Sequence, residues 1–233
     1  MVRKKGAPAV RPRGNGYCFR RKGMKVLSKI LIIAAGIVII PVLVSPLPRF
    51  DKPFSTVVEA RDGTLLGART ADDGQWRFPS PGEVPEKFEK ALLTFEDRYF
   101  YFHPGINPVS VVRALRDNLR AGTVVRGGST ITMQVARLSG GGRERTYRAK
   151  IIEMLQALKL ELFRSKKRIL GIYAANAPFG GNTVGLDAAA WRYTGKAPED
   201  ITWAEAAALA VLPNAPSLVF PGRNQEVLKK RRD

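Results

Sequence analysis

The chain has 233 residues, 45% of them hydrophobic, enough to bury a sizeable core in one or two domains. Its formal net charge of +19 points to an anionic partner: nucleic acid, an anionic membrane surface or a phosphate-bearing substrate. The single cysteine, Cys18, excludes an intrachain disulfide and a cysteine-based zinc site, and it reads as a spare thiol.

The charge is uneven along the chain. Residues 1–29 hold ten Lys or Arg and no acid, whereas the remainder carries 29 basic and 20 acidic groups. Directly after this arm, ILIIAAGIVIIPVLV (30–44) runs fifteen residues without a charge. With its flanks, 26–47, it approaches the ~20 residues that cross a bilayer. Lys29 can snorkel to the headgroups, and Pro41 is tolerated in a membrane helix. The positive arm places the N-terminus in the cytoplasm and the body outside it. The span runs into VSPLPRF with no small-x-small cleavage site, so it reads as an uncleaved single-pass anchor and not a signal peptide. The arm then serves as a topology signal that also binds anionic lipid, which removes the main argument for nucleic acid. The expected division is a basic cytoplasmic arm (1–25), a transmembrane anchor (26–47), an exported body (48–220) and the start of a linker (221–233).

Residues 45–58 hold several prolines and read as an extended connector. TVVEARDGTLLGART (56–70) predicts a short hairpin turning at Arg61-Asp62-Gly63. From about residue 84 the chain turns helical. The first helix is expected from Pro85 to Tyr99, ending in FEDRYFYFHPG. That stretch combines five aromatics (Phe95, Tyr99, Phe100, Tyr101, Phe102), the carboxylates Glu96 and Asp97, and the one histidine, His103. Glu96 and Asp97 differ by about 100° around a helix, so they face different surroundings. They are either a solvated acid pair balanced by Arg98 over an aromatic core, or two carboxylates with different tasks.

Asn107-Pro108 is an N-cap followed by proline at the first helical position, opening a helix that stops before Gly122. RGGSTITMQ (126–134) opens another, with Ser129 or Thr130 near the cap. Its glycines permit close backbone approach, and a helix N-terminus favours an anion. The alternative is an ordinary glycine turn with a Ser/Thr cap. A long helix over 144–163 carries Ile151, Leu155, Leu158 and Leu162 as one apolar stripe. Glu153 lies opposite, yet among Ala157 and Leu160, which marks a central helix. Glu153 either pairs with Lys150 or lines a cleft. Ser165 caps a helix through about Ala175, and its opening Lys166, Lys167 and Arg168 face either solvent or an anion. Thr202-x-x-Glu205 is a capping box opening an alanine-rich helix. Loops are expected at 139–142, 177–185 and 213–222. The fold class is mostly α with a small β element, preceded by one transmembrane helix.

Taken together, EDRYFYFHPG, GGSTITMQ, RTYRAKIIEMLQALKLE, KKRILGIYAANAPFGGNTVGLDAAAWRYTGK and EAAALAVLPNAPS resemble the five successive motifs of glycosyltransferase family 51, the peptidoglycan glycosyltransferases. The MQ ending of the second motif, NAPFGG and LPNAPS are similar to the 1C-type class A penicillin-binding proteins. The resemblance covers about residues 55–220. It implies a lysozyme-like, two-lobed helical fold with a large head and a smaller membrane-dipping jaw. It further implies polymerisation of lipid II into glycan strands at the bacterial inner membrane, with the catalytic domain periplasmic. Glu96 matches the catalytic base. Glu153 matches the second glutamate, which assists departure of the lipid pyrophosphate or positions a divalent cation, Mg or Mn, near it. Asp97, Phe100, His103, Gly128, Ser129, Thr130, Gln134, Arg137 and Lys150 match substrate-binding positions. The implied partners are lipid II, the growing glycan strand, the bilayer and other proteins of cell-wall synthesis.

A partly apolar wall raises a carboxylate's pKa toward working pH, so the aromatics beside Glu96 are expected to form such a wall. Two departures from the family pattern stand out. Arg137-Leu138 occupy places where many members carry Lys-Asn, and Ala149-Lys150 where Arg-Lys is common; arginine and lysine are not interchangeable at a phosphate. Close relatives continue into a transpeptidase domain, and no Ser-x-x-Lys site follows here, so the chain reads as the front part of a longer protein or a truncated product. The competing readings are a lysozyme-like hydrolase, a catalytically weak scaffold that binds lipid II, and a nucleic-acid binder with steeply salt-dependent affinity.

Overall fold

The computed structural model of the chain describes residues 39–80, 82–123, 127–141, 146–214 and 225–232, together with Lys29, Gly36 and Val125. Its contacts divide it into Met1–Val44 and Ser45–Asp233. In the first unit residues 39–44 are helical. Residues 26–28, 30–35 and 37–38 of the expected anchor lie outside the described residues. Among the described residues no helix is long and apolar enough to cross a membrane.

The second unit is mostly helical. β1 (Thr56–Glu59) and β2 (Leu65–Arg69) form the expected antiparallel hairpin, with Val57 opposite Ala68 and a bulge between Val58 and Glu59. Its turn is closed by Gly63 N–H donating to Ala60 O at 3.0 Å and by Asp62 Oδ1 accepting from Thr64 N–H at 3.0 Å. β3 (Trp76–Arg77) runs parallel to β5 (Thr183–Val184), which pairs antiparallel with β4 (Pro178–Gly180). Two of these three strands, β4 and β5, occupy the segment expected to be the 177–185 loop. Two- and three-residue strands give too short a period-2 pattern to be read from sequence.

Eight helices follow the hairpin among the described residues: α1 (Glu86–Glu96), α2 (Pro108–Ala121), α3 (Ile131–Ser139), α4 (Tyr147–Phe163), α5 (Lys166–Asn176), α6 (Leu186–Thr194), α7 (Trp203–Val211) and α8 (Gln225–Arg232). Local chemistry sets several of their starts. Asn107, Thr130, Thr146, Ser165 and Thr202 each accept a backbone N–H through the side chain, and Thr202–Glu205 completes a capping box.

α1 packs on α7, and α3 lies against both α4 and α5. The core between them holds Phe88, Leu92, Phe100, Ile131, Leu160, Ile169, Leu170 and Phe179, all 2% exposed or less. Each such side chain stabilises the fold by roughly 1.5–3 kcal/mol relative to exposure. Gly171 is needed where α5 passes the chain at Gly82: a Cβ there would lie 2.2 Å from Gly82 O.

The long helix corrects the expected stripe. Its buried residues are Ala149, Gln156, Ala157 and Leu160, whereas Ile151 and Leu162 are 58% and 66% exposed. The inner face is therefore the one that carries Glu153; of the expected stripe, Ile151 and Leu162 point outward and Leu155 and Leu158 are half-buried. Periodicity finds an apolar face but does not say whether protein or something else covers it.

Candidate active site

Four stretches of chain meet at the N-terminal part of α3, which with the residues before it is the second of them. The first is the end of α1. The helix stops at Glu96, not at Tyr99, because Asp97 leaves helical geometry (φ −157°, ψ 73°). Its carboxylate has better partners elsewhere. It lies 3.0 Å from His103 Nε2 through both oxygens and accepts the backbone N–H of Ile131 at 3.1 Å. Ile131 opens α3, so Asp97 also places a carboxylate at that helix's positive end. Both side chains of the pair are about 5% exposed or less. A helix and a buried, hydrogen-bonded turn thus meet between Glu96 and Asp97, and the two carboxylates face different surroundings, as their spacing requires.

The expected aromatic wall is mostly absent. Phe100 is fully buried, but Phe95, Tyr99, Tyr101 and Phe102 are 39%, 56%, 43% and 86% exposed. Tyr101 donates to Glu89 Oε1 at 2.5 Å, and burial together with that carboxylate pushes its phenol up to about 12.

Glu96, half-buried, is held instead by α3: Gln134 Nε2 donates to its Oε2 at 2.8 Å. Gln134 is itself buried, and its Oε1 accepts from the hydroxyl of Tyr173 on α5 at 3.4 Å. Thr130 is the α3 cap; its Oγ1 accepts from Met133 N–H at 3.2 Å and donates to Gly105 O at 2.6 Å, tying the HPG turn to the helix. Gly128 lets the chain pass close to α2: a Cβ would sit 3.0 Å from Val111 Cα, and that backbone would have to shift to admit it. Arg137, in the last turn of α3, is partly exposed.

The third stretch is α4. Lys150 Nζ donates to Ser129 Oγ at 2.6 Å and to Glu153 Oε2 at 2.9 Å. The Lys150 side chain is 40% exposed and that of Glu153 only 12%. Ala149, at the place where arginine is common, is buried. Glu153 does not build a metal site with its described neighbours. No group of three His, Cys, Asp or Glu side chains is placed to hold an ion among the described residues, and the Lys150 ammonium already occupies the carboxylate.

The fourth stretch is the start of α5. Lys166 faces neither solvent nor an anion from outside. It donates to Glu161 Oε1 at 2.8 Å and to His103 O at 2.7 Å, 4.5 Å from the centre of the Phe100 ring. Glu161 also accepts from Thr132 Oγ1 at 2.7 Å. These residues fasten the 100–103 turn to α3, α4 and α5. Sequence reasoning did not single out Tyr173, Thr132 or Glu161 for the site. Tyr173 carried a usable signal: it shares a helical face with Leu170 and Ala174, and a hydroxyl on a buried face needs a partner.

The geometry gathers Glu96, Asp97, Phe100, His103, Ser129, Thr130, Gln134, Lys150 and Glu153 around residues 129–134. Such a site offers one carboxylate held by a neutral donor and a second held by a displaceable cation. A family model described as Transglycosylase matches residues 62–233. Penicillin-binding protein 1C of Escherichia coli (strain K12) is 47% identical over 179 residues, covering 76% of this chain and 23% of its own length. Penicillin-binding protein 1A of Aquifex aeolicus (strain VF5) is 42% identical over 156 residues, covering 67% and 22%. The chain thus spans about a quarter of the length of these curated relatives. Among solved structures, penicillin-binding protein 1A from Haemophilus influenzae aligns with 78% of this chain and 17% of its own at 20% identity and a TM-score of 0.34, a likeness too slight to assign a fold.

Proposed function

The chain belongs to the transglycosylase family, and from that premise we propose that it polymerises lipid II into peptidoglycan glycan strands by inverting glycosyl transfer, releasing undecaprenyl pyrophosphate. The observation that carries this reading is the pairing of two differently held carboxylates, Glu96 on Gln134 and Glu153 on Lys150, about one short helical segment.

Glu96 acts as general base. It removes the proton from the 4-hydroxyl of the acceptor sugar as that oxygen bonds to the anomeric carbon of the donor strand. The bond from that carbon to the pyrophosphate oxygen breaks, and the electron pair leaves with the pyrophosphate. Attack opposite the leaving group inverts the anomeric centre, as two flanking carboxylates do in inverting glycosidases. Lys150, half-exposed beside Ser129, supplies positive charge for the pyrophosphate, with Arg137 as a second cation. Glu153 holds the Lys150 ammonium in place. Asp97 and His103 act on the site by fixing the turn after Glu96.

Two surface features support a bilayer partner. On α2, Val109, Val112, Leu115 and Leu119 are 59–73% exposed beside Arg113, Arg116 and Arg120. On α4, Ile151, Leu162 and Phe163 are more than half exposed. Exposed apolar side chains flanked by arginine suit an anionic lipid surface. With the segment at 26–47 as a single-pass anchor, the catalytic body stands outside the cytoplasm at the membrane that carries its substrate. A lysozyme-like two-lobed architecture belongs to the same proposal.

The test is polymerisation of labelled lipid II by the full chain in detergent, beside Glu96→Gln, with products separated by size. Glycan from the wild type and at least a ~10²-fold drop in the variant is the expected result. Binding of lipid II without glycan from either protein would replace the enzyme with a scaffold. Soluble fragments released from preformed glycan would replace it with a hydrolase.

A further inference from the structure

Gln134 is held from two sides. Its Nε2 donates to Glu96 at 2.8 Å, and its Oε1 receives the Tyr173 hydroxyl at 3.4 Å. Tyr173 arrives from α5, 39 positions later in the chain, and is 1% exposed. Among the described residues Gln134 is the side chain that satisfies its hydroxyl. A buried phenol is placed there at the cost of desolvating its oxygen, so the contact needs a physical reason.

We infer that Tyr173 is a positioning residue for Glu96: by donating to Oε1 of Gln134 it fixes the orientation of the amide, so that the N–H₂ end meets the carboxylate and holds it as the anion a proton acceptor must be. The inference rests on Glu96 as the base. An amide is asymmetric, with a donor end and an acceptor end. With the donor end on Glu96, the ionised carboxylate is favoured. With the amide turned over, Oε1 faces Glu96, an arrangement only the protonated carboxyl satisfies. Tyr173 selects the first state because its hydroxyl donates to Oε1, and hydrogen bonds in such a chain polarise one another. Burial, and next the charge of Glu96, push the phenol of Tyr173 upward, so it stays a neutral donor across the working range.

Among the described residues, Arg137 from α3 acts on Tyr173 through its charge, and the Asp97–His103 pair follows Glu96 directly after α1. Tyr173→Phe alters none of them. It removes one oxygen from a fully packed site and leaves Oε1 without its donor.

The experiment follows the carboxyl carbon of Glu96 by ¹³C NMR in the full chain in detergent, with its signal identified by its loss in Glu96→Gln. In Tyr173→Phe the titration midpoint is expected to rise by about one pH unit, and the acid limb of lipid II polymerisation to move with it. Incorporation of 3-fluorotyrosine at 173, which keeps the hydroxyl and strengthens it as a donor, is expected to move the midpoint the other way. Adding Tyr173→Phe to Gln134→Met is expected to produce no further shift, because the path runs through Gln134. An unchanged midpoint in both Tyr173 replacements, or a further shift in the double variant, overturns the inference. Polymerisation that survives Glu96→Gln would instead overturn Glu96 as the base, while the titration would still report the relay.

Discussion

Glu96 and Glu153 are both tied to residues 129–134, Glu96 directly through Gln134 and Glu153 through Lys150, which also donates to Ser129. Glu96 receives a neutral N–H from a buried amide that is backed by a buried phenol. Beside it, the Asp97–His103 pair is sealed from solvent and fastened to the first N–H of α3. Glu153 receives an ammonium whose side chain is 40% exposed and shared with a serine hydroxyl. A proton acceptor needs a fixed direction and a reproducible environment, and a buried neutral donor provides both. A site for a leaving pyrophosphate needs cations that can turn from an internal carboxylate to an incoming anion. A Lys–Glu pair whose ammonium side is 40% exposed is suited to that, because the long lysine side chain can turn its head group toward solvent. The molecule therefore invests its rigid, buried polar contacts on the Glu96 side.

Asp97→Asn is the strongest way to break this contrast. It removes one charge from a sealed pair and weakens the hold on α3, and it is expected to destabilise the protein by about 3 kcal/mol. The measurement is the thermal unfolding midpoint in detergent. A change as small as that of a surface pair would mean that the Glu96 side is not the rigid one.

Lys150→Met sharpens the contrast from the other side. It leaves Glu153, only 12% exposed, without its ammonium and is expected to cost about 1–2 kcal/mol of stability, yet to slow glycan formation by roughly 10- to 100-fold, about 1.4–2.7 kcal/mol of transition-state stabilisation. Unfolding midpoints and single-turnover rates on lipid II separate the two effects. A large stability loss with an unchanged rate would make Lys150 a structural residue.

Much of this arrangement was legible in the sequence because it is local. Asn107, Thr130, Ser165 and Thr202 cap the helices they were expected to open, and capping depends on residues within one turn. The Lys150–Glu153 pair is also local, three residues apart on one helix. What escaped is long-range or short-period. The Gln134–Tyr173 contact joins positions whose separation leaves no periodic trace. The strands at 178–180 and 183–184 are too brief to alternate, and α6 opens at Gly185 without a side-chain cap. The aromatic wall failed for another reason: composition predicted burial, but four of the five rings lie on a face exposed to the surroundings.

The smallest expected effect supplies a control for every pH experiment above. Glu205, in the α7 capping box, accepts from Lys196 and from Thr202 N–H, and these bonds pull its carboxyl down to about 2 from the ordinary 4.5. A folded pKa below the unfolded one gives stability that is complete above about pH 4.5 and lost as pH falls through about 2. Glu205→Gln is therefore expected to be less stable than wild type at pH 7 by about 0.5 kcal/mol, with the gap closing between about pH 4.5 and 2. Thermal midpoints across that range would show it, and a gap that stays constant would mean the Lys196 contact does not depress Glu205. Because this loss lies wholly below pH 4.5, an acid limb of polymerisation seen above that value does not come from the fraying of α7. A shift of that limb in Tyr173→Phe but not in Glu205→Gln would then locate its origin on the Glu96 side.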